Sequence, residues 1–420
     1  VFITNRQQNF TQELRVQSND PAAPLQWVAG VFYGRNRQTS IERISDPQLP
    51  QIISLLFGAD VPGFALGNDL LPNGDSYSNT TNGIDRQIAL FGDATYAIAP
   101  RLKASLGLRV AWTRFSFTNS ADGPQNLGPS SGTGSKSETP LTPKFGLAFQ
   151  ATPDALYYAT VSKGYRIGGA TPPFPQSACQ ADLDALQIDS VPSSYDSDTV
   201  WSYEIGAKTR FFDRRLTVAA GAYHVNWNNI QQANYLNSCG FQYTANLGQA
   251  VSNGFDVQLE AAVTDSVTVD VAAGYTDARY SRTTLTGGIG SPALVTRGNA
   301  IPGVSPWTVQ LGTQYNRIIA GRLSYLRLDY QFASRNPRLT PDQDPRNASS
   351  DPVPVNDPAT HQVSIRAGTT LGRASIQAFI DNLLDSRPQL GLTRQDQNTL
   401  LFEAQSLRPR TFGVWASYRY

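Results

Sequence analysis

The side chains that usually carry chemistry are few in this sequence, and their spacing does not suit it. His224 and His361 are its only two histidines. His224 sits between Tyr223 and Val225, on the polar side of an alternating stretch that also offers Asn226 and Asn228. It reads as a solvated strand histidine, with a ligand contact at a lumen or rim as the functional option. No Ser-His-Asp set, HExxH or CxxC spacing occurs. "GTGSKSE" (132–138) resembles part of a phosphate loop, but it lacks the full Walker spacing, follows no buried strand and opens no helix, so it reads as a flexible loop. "NTT" at Asn79 and "NAS" at Asn347 are glycosylation sequons by pattern only. The expectation is a protein that is not an enzyme and holds no cofactor or metal. The remaining chemistry lies in charges set among strand residues: Arg109, Glu204, Lys208, Asp256, Glu260, Arg327, Asp329 and Arg366. Such residues can line a translocation path or hold a globular partner; the plainer reading is a wetted face with mutual salt bridges.

The elements that position those charges follow period two. In "GFDVQLEAAV", Phe255, Val257, Leu259, Ala261 and Val263 alternate with Asp256, Gln258 and Glu260. Val267, Val269, Val271, Ala273 and Tyr275 continue the pattern, as do Trp307, Val309, Leu311 and Tyr315, then Leu328, Tyr330 and Phe332. No helical period of comparable strength is present, and the fold class is all-β. Lys+Arg total 34 against Asp+Glu 33, a formal charge of +1, so no nucleic-acid footprint is expected. No run of some 18 apolar residues exists for a membrane helix; the greasiest stretch, Ile52 to Gly67, is broken by Asp60 and Pro62.

Connectors alternate between short and long. The short ones fall at 19–24, 99–100, 152–154, 212–214, 264–266, around Ala320 and Gly321, and at 371–373; the long ones run over about 39–82, 119–139, 168–197, 230–243, 285–303, 336–356 and 385–406. Tight turns at one end and long loops at the other are the mark of an antiparallel transmembrane β-barrel in an outer membrane. Stretches such as Arg101 to Asn119 and Thr244 to Val263 are long enough to cross a bilayer obliquely and project beyond it. About fifteen strands result, an odd number, so the first and last run the same way and strands are expected before Val1. The sequence has no methionine and opens on strand-like residues, which reads as a fragment or processed product. Trp27, Trp112, Trp201, Trp227, Trp307, Trp415, Tyr418 and Tyr420 are assigned to lipid-interface belts. Cys179 and Cys239 fall in long loops that flank one hairpin (about Asp198 to Ile230) and so rise on one side of the membrane, where an oxidising exterior predicts a disulfide. "QIISLLFG" in the first long loop reads as a short helix over the mouth.

Several segments resemble one family, the TonB-dependent outer-membrane receptors. They are "FTQELRVQS" with "LQWVAGVFYGR", "TPKFGLAFQATPDALYYATVSKGYRIGG", and the stretch from "YDSDTVWSYEIGAKTRFF" to "HVNWNNIQ" with its Glu204–Lys208 core and Asp213 turn. "NLGQAVSNGFDVQLEAAV", "GNAIPGVSPWTVQLGTQY", "IDNLLDSRP" and the terminal "RPRTFGVWASYRY" follow in the family's order. The resemblance implies that residues 1–420 are part of a barrel of about 22 strands, beginning near the eighth, with the N-terminal plug and TonB box outside this chain. It further implies a Gram-negative outer-membrane location among lipid and lipopolysaccharide, energy from the TonB-ExbB-ExbD complex, and import of a scarce bulky nutrient, an iron–siderophore by default. A passive porin-like channel and a structural surface barrel in a larger assembly are the alternatives.

Overall fold

The computed structural model describes residues 1–45, 47–48, 51, 55, 70–236, 238–286, 290–348, 350–351, 353–394 and 402–419. The alternating stretches become long strands, and each pairs with its sequence neighbours, through a tight turn at one end and a long connector at the other. In chain order they are β1 (Phe2–Gln17), β2 (Leu25–Ser45), β3 (Asp75–Ala99), β4 (Leu102–Asp122), β5 (Leu141–Thr152), β6 (Ala155–Arg166), β7 (Asp198–Phe211), β8 (Leu216–Asn228), β9 (Gln249–Ala262), β10 (Val267–Tyr280), β11 (Trp307–Ile319), β12 (Arg322–Ala333), β13 (Thr360–Leu371), β14 (Ala374–Asp381) and β15 (Thr411–Tyr418). These fifteen form one antiparallel sheet without crossovers, and the stretch Ser130–Glu138 adds a strand beside the upper half of β4. Among the described residues β1 pairs only with β2, and β15 only with β14.

Short turns close one end of the sheet. Ala320 and Gly321 both have positive φ, at 50° and 73°, the geometry that matches a two-residue turn to the twist of its strands. Long connectors rise from the other end and carry hairpins of their own. The stretch Thr244 to Val263, expected as one strand, is divided: Phe241–Asn246 belongs to a loop hairpin with Gln231–Leu236, and β9 starts afresh at Gln249. The break is at Leu247 and Gly248, where Gly248 has φ +66°. The expected helix in "QIISLLFG" lies for the most part outside the described residues, as does Tyr420.

The packing differs from that of a soluble sandwich. Apolar side chains of one sheet face stand open, with Ile88 and Leu90 50 % exposed and Ile205 64 % exposed. On β3 and β4 this band runs from the Tyr96–Ala104 pair up to the Ile88–Trp112 pair. That separation of eight residues is about 27 Å along the strand, or roughly 20 Å of bilayer once the strand tilts. The densely packed cluster of Leu183, Leu186, Ile230, Leu236, Leu247 and Tyr280 instead sits among the long connectors and the strand ends beneath them.

Candidate functional site

Directly opposed residues of an antiparallel sheet share a face, so the register can be walked from one charge to the next. Arg109 opposes Thr142, two residues from Lys144; Lys144 opposes Ser162, which opposes Ser202, in parity with Glu204 and Lys208. Lys208 opposes Ala219 and Ala219 opposes Gln258, flanked in parity by Asp256 and Glu260; Glu260 opposes Asp270, Asp270 opposes Gly312, and Gly312 opposes Asp329. Arg327, in parity with Asp329, opposes Arg366. All eight charged candidates therefore lie on one face, the inner one, because the apolar side chains occupy the other.

Part of this face is a continuous chain of ions. Arg327 Nη1 and Nη2 donate to the two oxygens of Asp270 at 2.9 and 3.1 Å, and its Nε donates to Asp329 Oδ1 at 2.8 Å. Arg366 bridges Asp329 Oδ2 at 2.8 Å and Asp381 Oδ1 at 2.9 Å. The strand between Asp270 and Arg327 is β11, crossed at Gly312; a Cβ there would lie 2.2 Å from Asp270 Oδ2 and 2.4 Å from Arg327 Nη2. Glycine is thus a window through which the pair meets. A second window is Gly206, whose missing side chain admits Tyr158 so that its hydroxyl donates to Glu204 at 2.7 Å.

Above this face the connectors fold into a structure of their own. Helix Gln180–Leu186 starts at Cys179, and Cys239 lies in the turn of the 231–246 hairpin; the two are disulfide-bonded, with Cα atoms 5.2 Å apart. Asp182 of the helix accepts from the Ser238 amide at 2.9 Å, and Phe174 stacks on Phe241 with centroids 5.1 Å apart. Below them buried Asp198 accepts from Arg166 Nε at 3.1 Å and from the Gln231 amide at 3.2 Å, locking three strand ends together. Between this assembly and the inner positions Glu42, Ile44, Tyr77 and Asn79 of β2 and β3 lies a cavity of about 740 Å³. Phe174, Tyr195, Tyr235, Phe241 and Tyr243 also line it, and among the described residues Glu42 is its one charged lining residue. Burial pushes Tyr243 up to about 12 and raises Tyr195, so these phenols stay protonated at neutral pH. They can stack on and donate to a ligand, rather than bind a metal as phenolates.

Residues 3–383 match the family described as TonB dependent receptor-like, beta-barrel. The chain belongs to the TonB-dependent receptor β-barrel family. The metal-pseudopaline receptor CntO of Pseudomonas aeruginosa is 30 % identical over 141 residues, 34 % of this chain and 17 % of that protein. Among solved structures, the ferric yersiniabactin uptake receptor FyuA from Yersinia pestis superposes with a TM-score of 0.74 at 14 % identity, covering 99 % of this chain and 54 % of FyuA. The siderophore receptor PiuA from Acinetobacter baumannii gives 0.64 at 15 % identity, covering 99 % and 56 %. The chain thus spans about half the length of these structures. TonB-dependent receptors are outer-membrane proteins of Gram-negative bacteria, which places the open apolar face in lipid and the long connectors outside the cell.

Within the TonB-dependent barrel, the aromatic assignments need two corrections. Trp27, Trp112, Trp201, Trp307 and Tyr418 point outward by register. Trp227 does not: it shares parity with Ala219, faces inward beneath the loop assembly, and carries the Arg166 guanidinium 5.7 Å from its ring. Trp415 shares parity with Gly413 and opposes Gln377, so it also faces inward. His224, read on a polar side, faces outward beside Tyr203 and bonds Asn253 and Asn226 through its ring nitrogens at 2.7 and 3.2 Å. At this height water bathes both faces, and polarity no longer reports the lumen. The Asn347 sequon is buried in a hydrogen-bonded knot. The aromatic cavity itself was missed in the sequence; its signal is the run of aromatics in "ATPPFP" and "ANYLNSCGFQYT", masked there by the Pro/Ser composition of the loops.

That knot joins two receptor loops. Asp344 accepts from Arg346 Nε at 2.9 Å and from Asn299 Nδ2 at 2.6 Å, and Asn347 donates to Asn299 at 3.0 Å. The Arg346 guanidinium, helped by the Asn299 amide, holds the Asp344 carboxyl well below the usual range. A depressed carboxylate contributes stability that is complete above its unfolded value of about 3.9 and declines as pH falls from there toward the folded value. Amide exchange at 293–301 and 339–348, once divided by the rate of an unstructured chain at each pH, should therefore be the same at pH 7 and pH 5 and accelerate below about pH 4. Unchanged exchange in acid would remove Asp344 from the account.

Proposed function

We propose that the chain is the ligand-capturing part of the barrel of an active outer-membrane importer for a scarce, bulky nutrient, with a ferric chelate as the favoured cargo. The observation that carries this reading is the aromatic cavity of about 740 Å³ at the mouth, above a charged inner face. Its size falls in the range of small-molecule sites, and a lining with one carboxylate among the described residues and several neutral aromatics suits a ring-bearing, weakly charged complex. FyuA, a ferric yersiniabactin uptake receptor, PiuA, a siderophore receptor, and CntO, a metal-pseudopaline receptor, support the same class of cargo. No step in this reading is catalytic.

The two sheet edges that bear no strand among the described residues extend the proposal. Backbone groups left open in hydrocarbon are prohibitively costly, and β1 and β15 run in the same direction, so they do not complete each other as an antiparallel pair. In the working receptor further strands of the same barrel, about 22 in all, would flank both edges. A plug domain would fill the polar interior and couple it to the TonB-ExbB-ExbD complex.

The test uses the full-length receptor. A deletion strain grown on a panel of ferric chelates should fail on one of them, and dissipating the proton-motive force should abolish its uptake in the parent. Uptake that survives that treatment would support a passive channel instead. In the purified receptor, Tyr235→Ala and Phe241→Ala should each weaken binding of that chelate by roughly tenfold, as expected for a lost stacking surface. Unaltered affinity in both variants would move the binding site elsewhere.

A further inference from the structure

The outer face of β1–β4 changes character within a single row of residues. Tyr33, Ile88 and Trp112 oppose one another across β2, β3 and β4, and the next outward row toward the loops is Arg35, Arg86 and Arg114. Arg37 takes the following outward position on β2, and Arg6 lies opposite Thr39 beyond it. Opposed Cβ atoms in a sheet lie about 4.5–5.5 Å apart, and like charges so placed repel. The outward positions of these four strands carry no carboxylate until Asp122 at the loop end of β4, where it accepts from the Gly123 amide. Arg43, nearer the loops, is paired with Asp75. The other five arginines have no ion-pair partner among the described residues, and Arg35 Nε is buried without any acceptor.

A cavity of about 630 Å³ opens at the same place, lined by Tyr33, Ile88, Trp112, Arg86, Arg114 and Ser137 among others. It arises because the strand beside β4 is interrupted: Ser130–Glu138 pairs down to Thr113, and β5 resumes at Leu141 opposite Val110. Glu138 also lines this gap, but its pairing with Thr113 sets it on the inner face, away from the arginine row, where its two oxygens accept from the Gly168 and Ser197 amides at 2.9 and 2.8 Å.

We propose that this is a binding site for the phosphorylated glycolipid of the outer leaflet, lipopolysaccharide. Its phosphate lies on Arg35, Arg86 and Arg114, and an acyl chain lies on Tyr33, Ile88 and Trp112. The arginine row sits where the apolar band ends on the long-loop side, which is the level of the phosphates of that leaflet. A guanidinium fork matches phosphate oxygens two at a time, and one dianion between three cations turns a repulsive row into a cohesive one. The apolar row beneath continues into hydrocarbon, so a free phosphate would leave it unused. This site rests on the outer-membrane location and not on the transported cargo, so it stands or falls separately from the import reading.

The experiment is native mass spectrometry of the full-length receptor, stripped of endogenous lipid and titrated with bis-phosphorylated lipid A or its dephosphorylated form with the same acyl chains. The phosphorylated lipid should bind on the order of a hundredfold more tightly, from about fivefold per arginine. Arg35→Gln, Arg86→Gln and Arg114→Gln together should erase that preference, and Arg86→Gln alone, a milder change to the fold, should reduce it by about fivefold. Equal binding of the two lipids by the unaltered receptor, which requires no variant, would overturn the proposal. So would competition by inorganic phosphate at concentrations matching those of lipid A, which would mark a free-anion site.

Discussion

Reduction of the Cys179–Cys239 bond, or its replacement by serines, should release the mouth assembly while leaving the barrel closed to denaturation. The two cysteines are 60 residues apart in sequence, and holding a loop of that size contributes about 4 kcal/mol in a chain-entropy treatment. The bond joins the helix that carries Leu183 and Leu186 to the hairpin that carries Leu236 and Tyr243. Without it, those elements keep their apolar contacts but lose their tether. Cleavage by a protease tracks the open population when reclosing is fast, so nicking within 170–195 and 231–246 should rise by up to about three orders of magnitude. Heat-modifiable gel migration, which reports the strands, should not change. Mass spectrometry of the unreduced protein should find the crosslink intact. Loops equally protected after reduction would mean that the apolar cluster alone secures them, and chelate affinity should then also survive.

Substitution of Gly312 should cost the most on the inner face. A Cβ at this position meets Asp270 and Arg327 at 2.2–2.6 Å, so even alanine separates the pair. Arg327 is then left with Asp329 alone, which it shares with Arg366. These groups are partly exposed, with side-chain accessibilities between 18 and 44 %, so the loss is that of a screened charge-assisted contact, about 1–3 kcal/mol. The check is a double-mutant cycle in urea unfolding, with Gly312→Ala, Arg327→Gln and both together. The two changes should be strongly non-additive, because each removes the same contact. Additive costs would show that the glycine serves the backbone and not the ion chain.

The sequence made the wall of the barrel readable and its furnishing much less so. Period two and the alternation of short and long connectors lead to fifteen strands, which is the number in the sheet. The same parity puts Arg109, Glu204 and Arg366 on one face, because inside the bilayer each side chain has only two solvents to choose from. Above the bilayer that rule lapses. His224 turns outward where water lies on both faces, and Trp227 turns inward because the loop assembly covers it there. Trp415 is a belt residue by type alone, and its parity with Gly413 and Ser417 points inward. The aromatic cavity is lined from segments far apart in the sequence, Tyr77 and Phe241 among them, and local pattern holds no record of that. The arginine row on β2–β4 is visible only once register is known, since Arg35, Arg86 and Arg114 are unremarkable apart.

The packed interior among the external connectors has a consequence for immune and phage pressure. Surface segments that merely dangle can vary at every residue to escape an antibody or a phage tail. Here Leu183, Leu186 and Val191 are interior residues, whereas Asp184, Ala185, Gln187 and Asp189 beside them are open to solvent. Escape variants selected on living cells should therefore change the second group and spare the first, which leaves an attacker a fixed scaffold beneath a variable skin.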